Sequence, residues 1–334
     1  MSTLQNVLLL NDGKSGHFNQ TKALAYALSQ IQQTNTQTIN IRIKKIAKYI
    51  LRGLLNSKIG QGILSNPNSL KFLKLFYDID GDIPPCDTII SSGKDTSLLN
   101  AWLGLAYGCQ TIYIGNPKKL NHRLFDIIFS VLDLGFENQI VLEVAPTMPL
   151  EGDIDKFCQK YHLDKEEKYY LLLIGGDGAG YHYSEDEYEN LVEFVNHAPQ
   201  DIKWLVTTSR RTPKEIEKRL KQKMNTASFI DYHTNPQKVV AGFLQLASVV
   251  FVTEESASMV NEAVAFGKPV MTLSPKKHYP DKSYQRILDR FFLKKRVQRV
   301  DISKLEYGTV ECNDFQVLKH TSSMEIVEKV GKYL

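Results

Sequence analysis

Scarcities give the first reading of this 334-residue chain. It holds four cysteines, Cys86, Cys109, Cys158 and Cys312. They are too few for a disulfide scaffold and too far apart for a C-x-x-C site, which points to reduced thiols in the cytoplasm. No stretch of about 18 apolar residues occurs, so no membrane-spanning helix is expected. The apolar run Val7 to Leu10 ahead of Asp12 is too short for the core of a signal peptide. No cluster of His and Asp stands at metal-ligand spacing, so neither a metal nor another cofactor is expected. Helix-turn-helix, finger and aromatic RNA-binding signatures are missing as well, which argues against nucleic acid as a partner. The sharpest scarcity is local. From Gly13 to Tyr77 there are ten Lys or Arg and no Asp or Glu, so at a net charge of +4 the rest of the chain carries −6.

What is present describes a soluble α/β protein of two domains. Apolar residues make up 43% and charged residues 23%, and the length suits two hydrophobic cores. In residues 1–155, short β-favouring runs at 6–11, 38–43, 87–91, 111–114 and 127–131 alternate with helical periodicity, the pattern of a doubly wound parallel sheet. Pro146, Pro149, Gly152 and the charged stretch 164–168 mark a boundary. A second Rossmann-like domain is expected over 166–305, with strands at 169–174, 204–207, 228–232, 249–252 and 270–273. A tail with a last helix, opened by a Ser322/Glu325 capping box, is expected over 306–334, packed back on the first domain.

Polar loops follow these strands, and ligands of open α/β sheets bind at such carboxyl ends. After the first strand come Asp12, Gly13, Lys14, Gly16, His17 and Asn19, then a helix expected from about Gln20; after the third come Gly93, Lys94 and Asp95. In the second half, Gly175 and Gly176 open a loop of four glycines, which allows close approach to the backbone but is not the G-x-G-x-x-G spacing. Ser209, Arg210 and Arg211 follow the next strand, and a guanidinium fork suits phosphate oxygens. Asn235 lies in a turn. Thr253, Glu254, Glu255 and Ser256 precede a helix whose free N–H groups and dipole favour an anion, with Glu262 less than two turns in. Each loop also reads as a capped turn or solvated surface that binds nothing.

One more pattern lies in the acid-free segment. Apolar residues at 43, 46, 47, 50, 51, 54, 55 and 59 follow a helical period over some sixteen residues, among Arg42, Lys44, Lys45, Lys48 and Arg52. Such a basic amphipathic helix would lie on an anionic membrane surface, or pack its apolar face on the sheet.

The motifs N-D-G-K-S-G-H-x-N-Q at 11–20, T-S-R-R-T-P at 208–213, N-P at 235–236 and V-T-E-E-S-A-S-M-V-N-E-A-x-A-x-G-K-P-V at 252–270 resemble the mitochondrial fission ELM family. Two departures are visible: Glu254–Glu255 stand where an Asp before the Ser is common, and 125–133 lacks a usual Pro-x-His-Asp. The family looks like a GT-B glycosyltransferase, two Rossmann-like domains facing a cleft, and the segments 13–28 and 256–270 are similar to the peptidoglycan transferase that adds N-acetylglucosamine to lipid I. The resemblance implies a metal-independent enzyme taking a nucleotide-sugar donor. Gly175, Gly176, Ser209, Arg210, Arg211, Asn235, Thr253, Glu254, Ser256, Ala257, Ser258, Met259 and Glu262 would hold the donor, with Glu262 on the ribose. Asp12, Gly13, Lys14, Gly16, Asn19, Gly93 and Lys94 would hold a lipid-linked or cell-envelope saccharide acceptor, with His17 as catalytic base and Asp95 beside it. The basic surface formed by Arg42, Lys44, Lys45, Lys48 and Arg52 would hold such an enzyme on the cytoplasmic face of the inner membrane. A non-catalytic membrane scaffold and a nucleotide-sugar epimerase are the alternatives.

Overall fold

Apolar runs flanked by polar strand ends become the centres of two parallel sheets. The computed structural model describes residues 4–150, 152–305 and 314–330. The chain opens with β1 (Gln5–Asn11), α1 (Ser15–Ser29), β2 (Thr34–Ile43), α2 (Ala47–Leu55), α3 (Lys58–Leu64), α4 (Leu73–Phe76), β3 (Tyr77–Ile79), β4 (Thr88–Ser92), α5 (Lys94–Tyr107), β5 (Gln110–Ile114), β6 (Ile127–Ser130) and β7 (Gln139–Val141). These seven strands form one sheet of order β3-β2-β1-β4-β5-β6-β7, parallel except for the antiparallel β2–β3 pair. Along β1 the side chains alternate between faces. Val7 and Leu9 pack with Leu24, Ala27 and Leu28 of α1, whereas Leu8 and Leu10 pack with Leu51 of α2 and Leu98 and Trp102 of α5. Helices therefore cover both faces, as a doubly wound sheet requires.

A second sheet follows. Its elements are α6 (Ile154–Tyr161), β8 (Lys168–Ile174), β9 (Tyr181–His182), α7 (Glu185–Asn196), β10 (Ile202–Thr208), α8 (Lys214–Lys223), β11 (Ser228–Ile230), α9 (Val240–Leu246), β12 (Ala247–Thr253), α10 (Ala257–Ala265), β13 (Val270–Ser274), β14 (Lys277–His278), α11 (Lys282–Leu293) and β15 (Val297–Asp301). The order β11-β10-β8-β12-β13-β15 is parallel throughout, and β9 and β14 pair as a small antiparallel ribbon. The last described element is α12 (Ser322–Val330).

The chain forms two compact units, one running to Pro149 and resuming at Ser322, the other Leu150–Thr321. The sequence reading ended the first domain at 155 and began the second at 166. That stretch carries α6, which belongs to the second unit because Phe157 packs edge-on against Phe243 of α9, with ring centroids 5.8 Å apart. The 306–334 tail divides likewise. Gln316 donates to Lys295 O at 2.9 Å in the second unit, whereas Ile326 and Val330 of α12 join Leu24 and Leu28 in the first. Glu325, expected to cap its own helix, accepts the Glu143 N–H with both oxygens at 3.0 Å. Residues 306–313, including Cys312, and 331–334 lie outside the described residues.

The sixteen-residue basic helix is replaced by two short ones. Asn56 stops α2 by bonding Lys119 O at 2.7 Å and the Asn121 N–H at 3.1 Å. Ser57 then caps α3 through the Gly60 N–H at 3.0 Å. A Cβ on Gly60 would lie 2.3 Å from Leu54 O, so the tight α2–α3 turn needs that glycine. Among the described residues no helix is long and apolar enough to cross a membrane.

Candidate functional site

In both sheets the chain leaves a central strand in opposite directions, and the two loops that part there lie side by side. In the first unit these loops follow β1 and β4, which are hydrogen-bonded neighbours. Asn11 and Asp12 hold the first loop, accepting the Gly13 and Lys14 N–H groups at 2.9 and 3.1 Å. Gly13 sits at φ +75°, which suits glycine. The helix begins at Ser15, five residues earlier than the expected Gln20, so Gly16, His17 and Asn19 belong to the first turns of α1 rather than to a loop.

That early start brings His17 back over Asp12, with Nδ1 2.8 Å from Oδ2 of a carboxylate whose side chain is 3% exposed. Burial alone would raise the Asp12 carboxyl; the hydrogen bond and charge of His17, with the Lys14 amide and ammonium, outweigh it and hold it below the usual range. An Asp12 carboxylate accepting Nδ1–H leaves the lone pair on Nε2. Gly93, at φ +99°, lies under the ring, where an added Cβ would be 2.2 Å from Nδ1. Asp95 is already engaged, its two oxygens 2.5 Å from Lys48 Nζ and 3.6 Å from Lys14 Nζ. Asn19 and Lys94 are exposed.

The basic cations divide. Arg42 lies on β2 opposite Asp78 of β3, and Lys44 donates to Lys74 O at 2.6 Å and sits 3.6 Å from Asp78. Lys48 is turned to Asp95, and among the described residues Arg42, Lys45 and Arg52 of the five have no ion-pair partner. Arg52 lies over the Tyr49 ring.

In the second unit four strand ends meet. Thr253 Oγ1 at the end of β12 accepts the Gly175 N–H at 2.8 Å, and Thr212 Oγ1 donates to Gly175 O at 2.9 Å. Gly175 and Gly176 do pass close to other groups, but those groups are the protein's own: added Cβ atoms would meet Glu255 Oε1 at 1.6 Å and Arg211 O at 2.1 Å. Arg211 reaches across to donate from Nη1 to Glu255 O at 3.2 Å, while Arg210 stands exposed. Ser209 holds the Arg211 N–H at 3.2 Å. Asn235 is exposed, its amide held by Asp231 at 3.0 Å.

Ser256 caps α10 through the Met259 N–H at 3.5 Å, which leaves the Ala257 and Ser258 N–H groups pointing off the helix end. Glu254 is not available to a ligand. It is fully buried, with Arg299 Nε and Nη2 at 2.8 and 2.9 Å and Thr272 Oγ1 at 2.7 Å. Glu262, in the second turn of α10, is half-buried with no partner among the described residues, and burial pushes its carboxyl up to about 7. Sequence reasoning missed two arrangements: Asp12 as the partner of His17, and the buried Glu255 under the glycine loop. Only the Asp–x₄–His spacing across a strand-to-helix turn could have signalled the first. Among the described residues no group of three His, Cys, Asp or Glu side chains is placed to hold a metal.

No curated protein matches the chain. Among solved structures it is similar to Acinetobacter baumannii MurG, at 10% identity over 98% of this chain and 99% of that one, TM-score 0.51. It is similar to Arabidopsis thaliana UGT89C1 complexed with UDP-L-rhamnose, at 13% identity over 99% and 95%, TM-score 0.53. A candidate UDP-N-acetylglucosamine 2-epimerase of Listeria monocytogenes gives 10% over 99% and 88%, TM-score 0.52. At such identities the likeness speaks for the fold, which is that of the GT-B glycosyltransferases. The sequence model of mitochondrial fission ELM1 matches residues 15–324, from the first turn of α1 into α12, and so takes in His17 and the strand ends of the second unit: this chain belongs to the mitochondrial fission ELM1 family.

Proposed function

We propose that this protein transfers a sugar from a nucleotide-sugar, held by its second unit, to a lipid-linked or cell-envelope saccharide held by its first, at the cytoplasmic face of the inner membrane. The observation that carries the reading is Glu262. A half-buried carboxyl without a protein partner, raised to about 7, gains its charged form when hydroxyl groups donate to it, as the pair on a ribose would. The Ala257 and Ser258 N–H groups at the start of α10 and the Arg211 guanidinium suit the diphosphate. UGT89C1, of the same fold, was solved with a nucleotide-sugar.

In this reading His17, its Nε2 lone pair fixed by Asp12, takes the proton of the acceptor hydroxyl as that oxygen bonds the anomeric carbon and the sugar–diphosphate bond breaks. Arg211 and the α10 amides receive the charge left on the nucleoside diphosphate. Support for a membrane comes from the surface around α2, α3 and α4. Ile46, Tyr49, Ile50, Ile59, Ile63, Phe72 and Leu75 are each more than half exposed, in the segment that has no acidic residue before Asp78.

Calorimetric titration with UDP-, ADP-, GDP- and dTDP-sugars tests the donor site. Glu262→Ala and Arg211→Ala should each weaken binding about 10- to 100-fold, as expected for losing a hydrogen bond to a charged group. Arg210→Ala, whose guanidinium stands in solvent, should weaken it less. Unchanged affinity in both of the first two variants would sink the reading.

A further inference from the structure

We propose that Glu255 is a positioning residue of the donor site that binds a proton as the donor's diphosphate binds, which turns Arg211 from the carboxylate to the phosphate oxygens. The inference rests on reading the second unit as a nucleotide-sugar site.

Two adjacent carboxylates are treated in opposite ways. Glu254 is neutralised by the Arg299 fork. Glu255, 1% exposed, has a single weak donor, the Tyr183 hydroxyl at 3.3 Å from Oε2, and its Oε1 has no hydrogen-bond partner. Among the described residues the cation paired with it is Arg211, with Nη1 3.8 Å from Oε1, and that nitrogen donates to the Glu255 carbonyl. A buried polar atom without a partner costs about 1–3 kcal/mol, so the arrangement is a poor one unless something completes it.

The position of the orphan oxygen says what completes it. Oε1 occupies the space that a side chain at residue 175 would fill, directly against the glycine loop after β8. The same guanidinium lies against Gly178 of that loop, its Nε 3.0 Å from where a Cβ would stand. A ligand anion that reaches Arg211 therefore arrives beside Glu255.

The charges facing Glu255 fix the sign of the effect. Arg211 faces it from the loop after β10, Thr253 from β12, Tyr183 and Tyr188 from the start of α7, and Tyr284 from α11. Asp177 of the glycine loop is paired with His182 at 3.0 Å. The set holds one cation for one uncompensated carboxylate. Burial already pushes Glu255 up to about 7 against the nearby Thr253 and Tyr183 hydroxyls and the Arg211 charge. Two negative phosphates that draw Arg211 away raise it further, so binding takes up a proton. Affinity is then full below about 7 and falls as pH rises through the higher, ligand-bound value.

The test uses the full chain and UDP-, ADP-, GDP- and dTDP-glucose, whose diphosphate diesters do not titrate near neutrality. At pH 7 Glu262 loses up to about half a proton in the same event and offsets Glu255 in the wild type, so calorimetry in buffers of different ionisation enthalpy should show uptake of about half a proton per ligand in Glu262→Gln, with affinity there falling up to about tenfold per pH unit above 7. Adding Glu255→Gln to Glu262→Gln should abolish the uptake and flatten the profile between pH 6 and 8. A merely structural role would weaken binding equally at every pH. Glu262→Gln binding without proton uptake overturns the proposal, as does a proton count in the wild type equal to that in Glu255→Gln. Uptake that persists in Glu255→Gln overturns it as well. If none of the four sugars binds, the nucleotide-sugar reading falls with it; binding whose proton count is unchanged by Glu255→Gln overturns only the role of Glu255.

Discussion

Glu262 shows at the scale of one residue what a ligand site costs the fold that carries it. Its carboxyl is raised from 4.5 to about 7 by burial. A group raised in the folded state leaves stability intact below its unfolded value and removes it as pH climbs through the folded one, here between about 4.5 and 7. Because Glu262 keeps some contact with solvent, the loss should be on the order of 1 kcal/mol rather than the full shift. Glu262→Gln is therefore expected to stabilise the protein by that amount at pH 8 and to change nothing at pH 4.5. Denaturant unfolding at the two pH values measures this, and equal stability of both proteins at pH 8 would count against an uncompensated carboxylate. The residue type and its place after Ser256 were readable from the sequence. The missing partner was not, because it depends on side chains from elements far apart in the chain.

At the scale of elements, the helix period across 43–59 carried two messages that the fold separates. Ala47, Leu51 and Leu55 face the core, whereas Ile46, Tyr49, Ile50 and Ile59 are solvent-exposed. Asn56 and Ser57 break the helix between them. Cations near an anionic surface add about 1 kcal/mol each, and burying a side chain such as Ile or Phe adds about 1.5–3 kcal/mol. The apolar residues should thus dominate attachment. Ile59→Asp with Phe72→Asp should release the protein from vesicles rich in anionic lipid at any salt concentration. Changing exposed Lys45, Lys58, Lys71 and Lys74 to Gln should weaken it mainly at low salt. Vesicle sedimentation reads both, and retention of the double Asp variant would remove the membrane from the proposal. Lys44 and Lys48, which sequence alone placed on this surface, are engaged with Lys74, Asp78 and Asp95 and should matter less.

At the scale of the whole molecule, the last described helix closes the first sheet rather than the second. Ile326 and Val330 are 0% and 2% exposed among side chains of α1 and the β-strands, so ending the chain at Thr321 should cost the first unit about 3–6 kcal/mol. Each unit has one buried tryptophan, Trp102 in the first and Trp204 in the second. With Trp204→Phe or Trp102→Phe as single-reporter backgrounds, the Trp102 transition should move to lower denaturant while the Trp204 transition stays. Equal shifts in both would contradict the assignment of α12. By itself the sequence determined the alternation of strands and helices, both central strands, the family, and the polar strand ends where ligands of such sheets bind. Those features are local, fixed by hydrophobic periodicity and by glycine, serine and proline at element ends. The tertiary structure alone decided that Asp12 orients His17, that Lys48 neutralises Asp95, that Glu254 is spent on Arg299, and that Oε1 of Glu255 lies under Gly175 without a hydrogen-bond partner. Apart from Asp12 with His17, each of these joins residues at least 44 positions apart, and strand order, which no local pattern encodes, sets which of them meet.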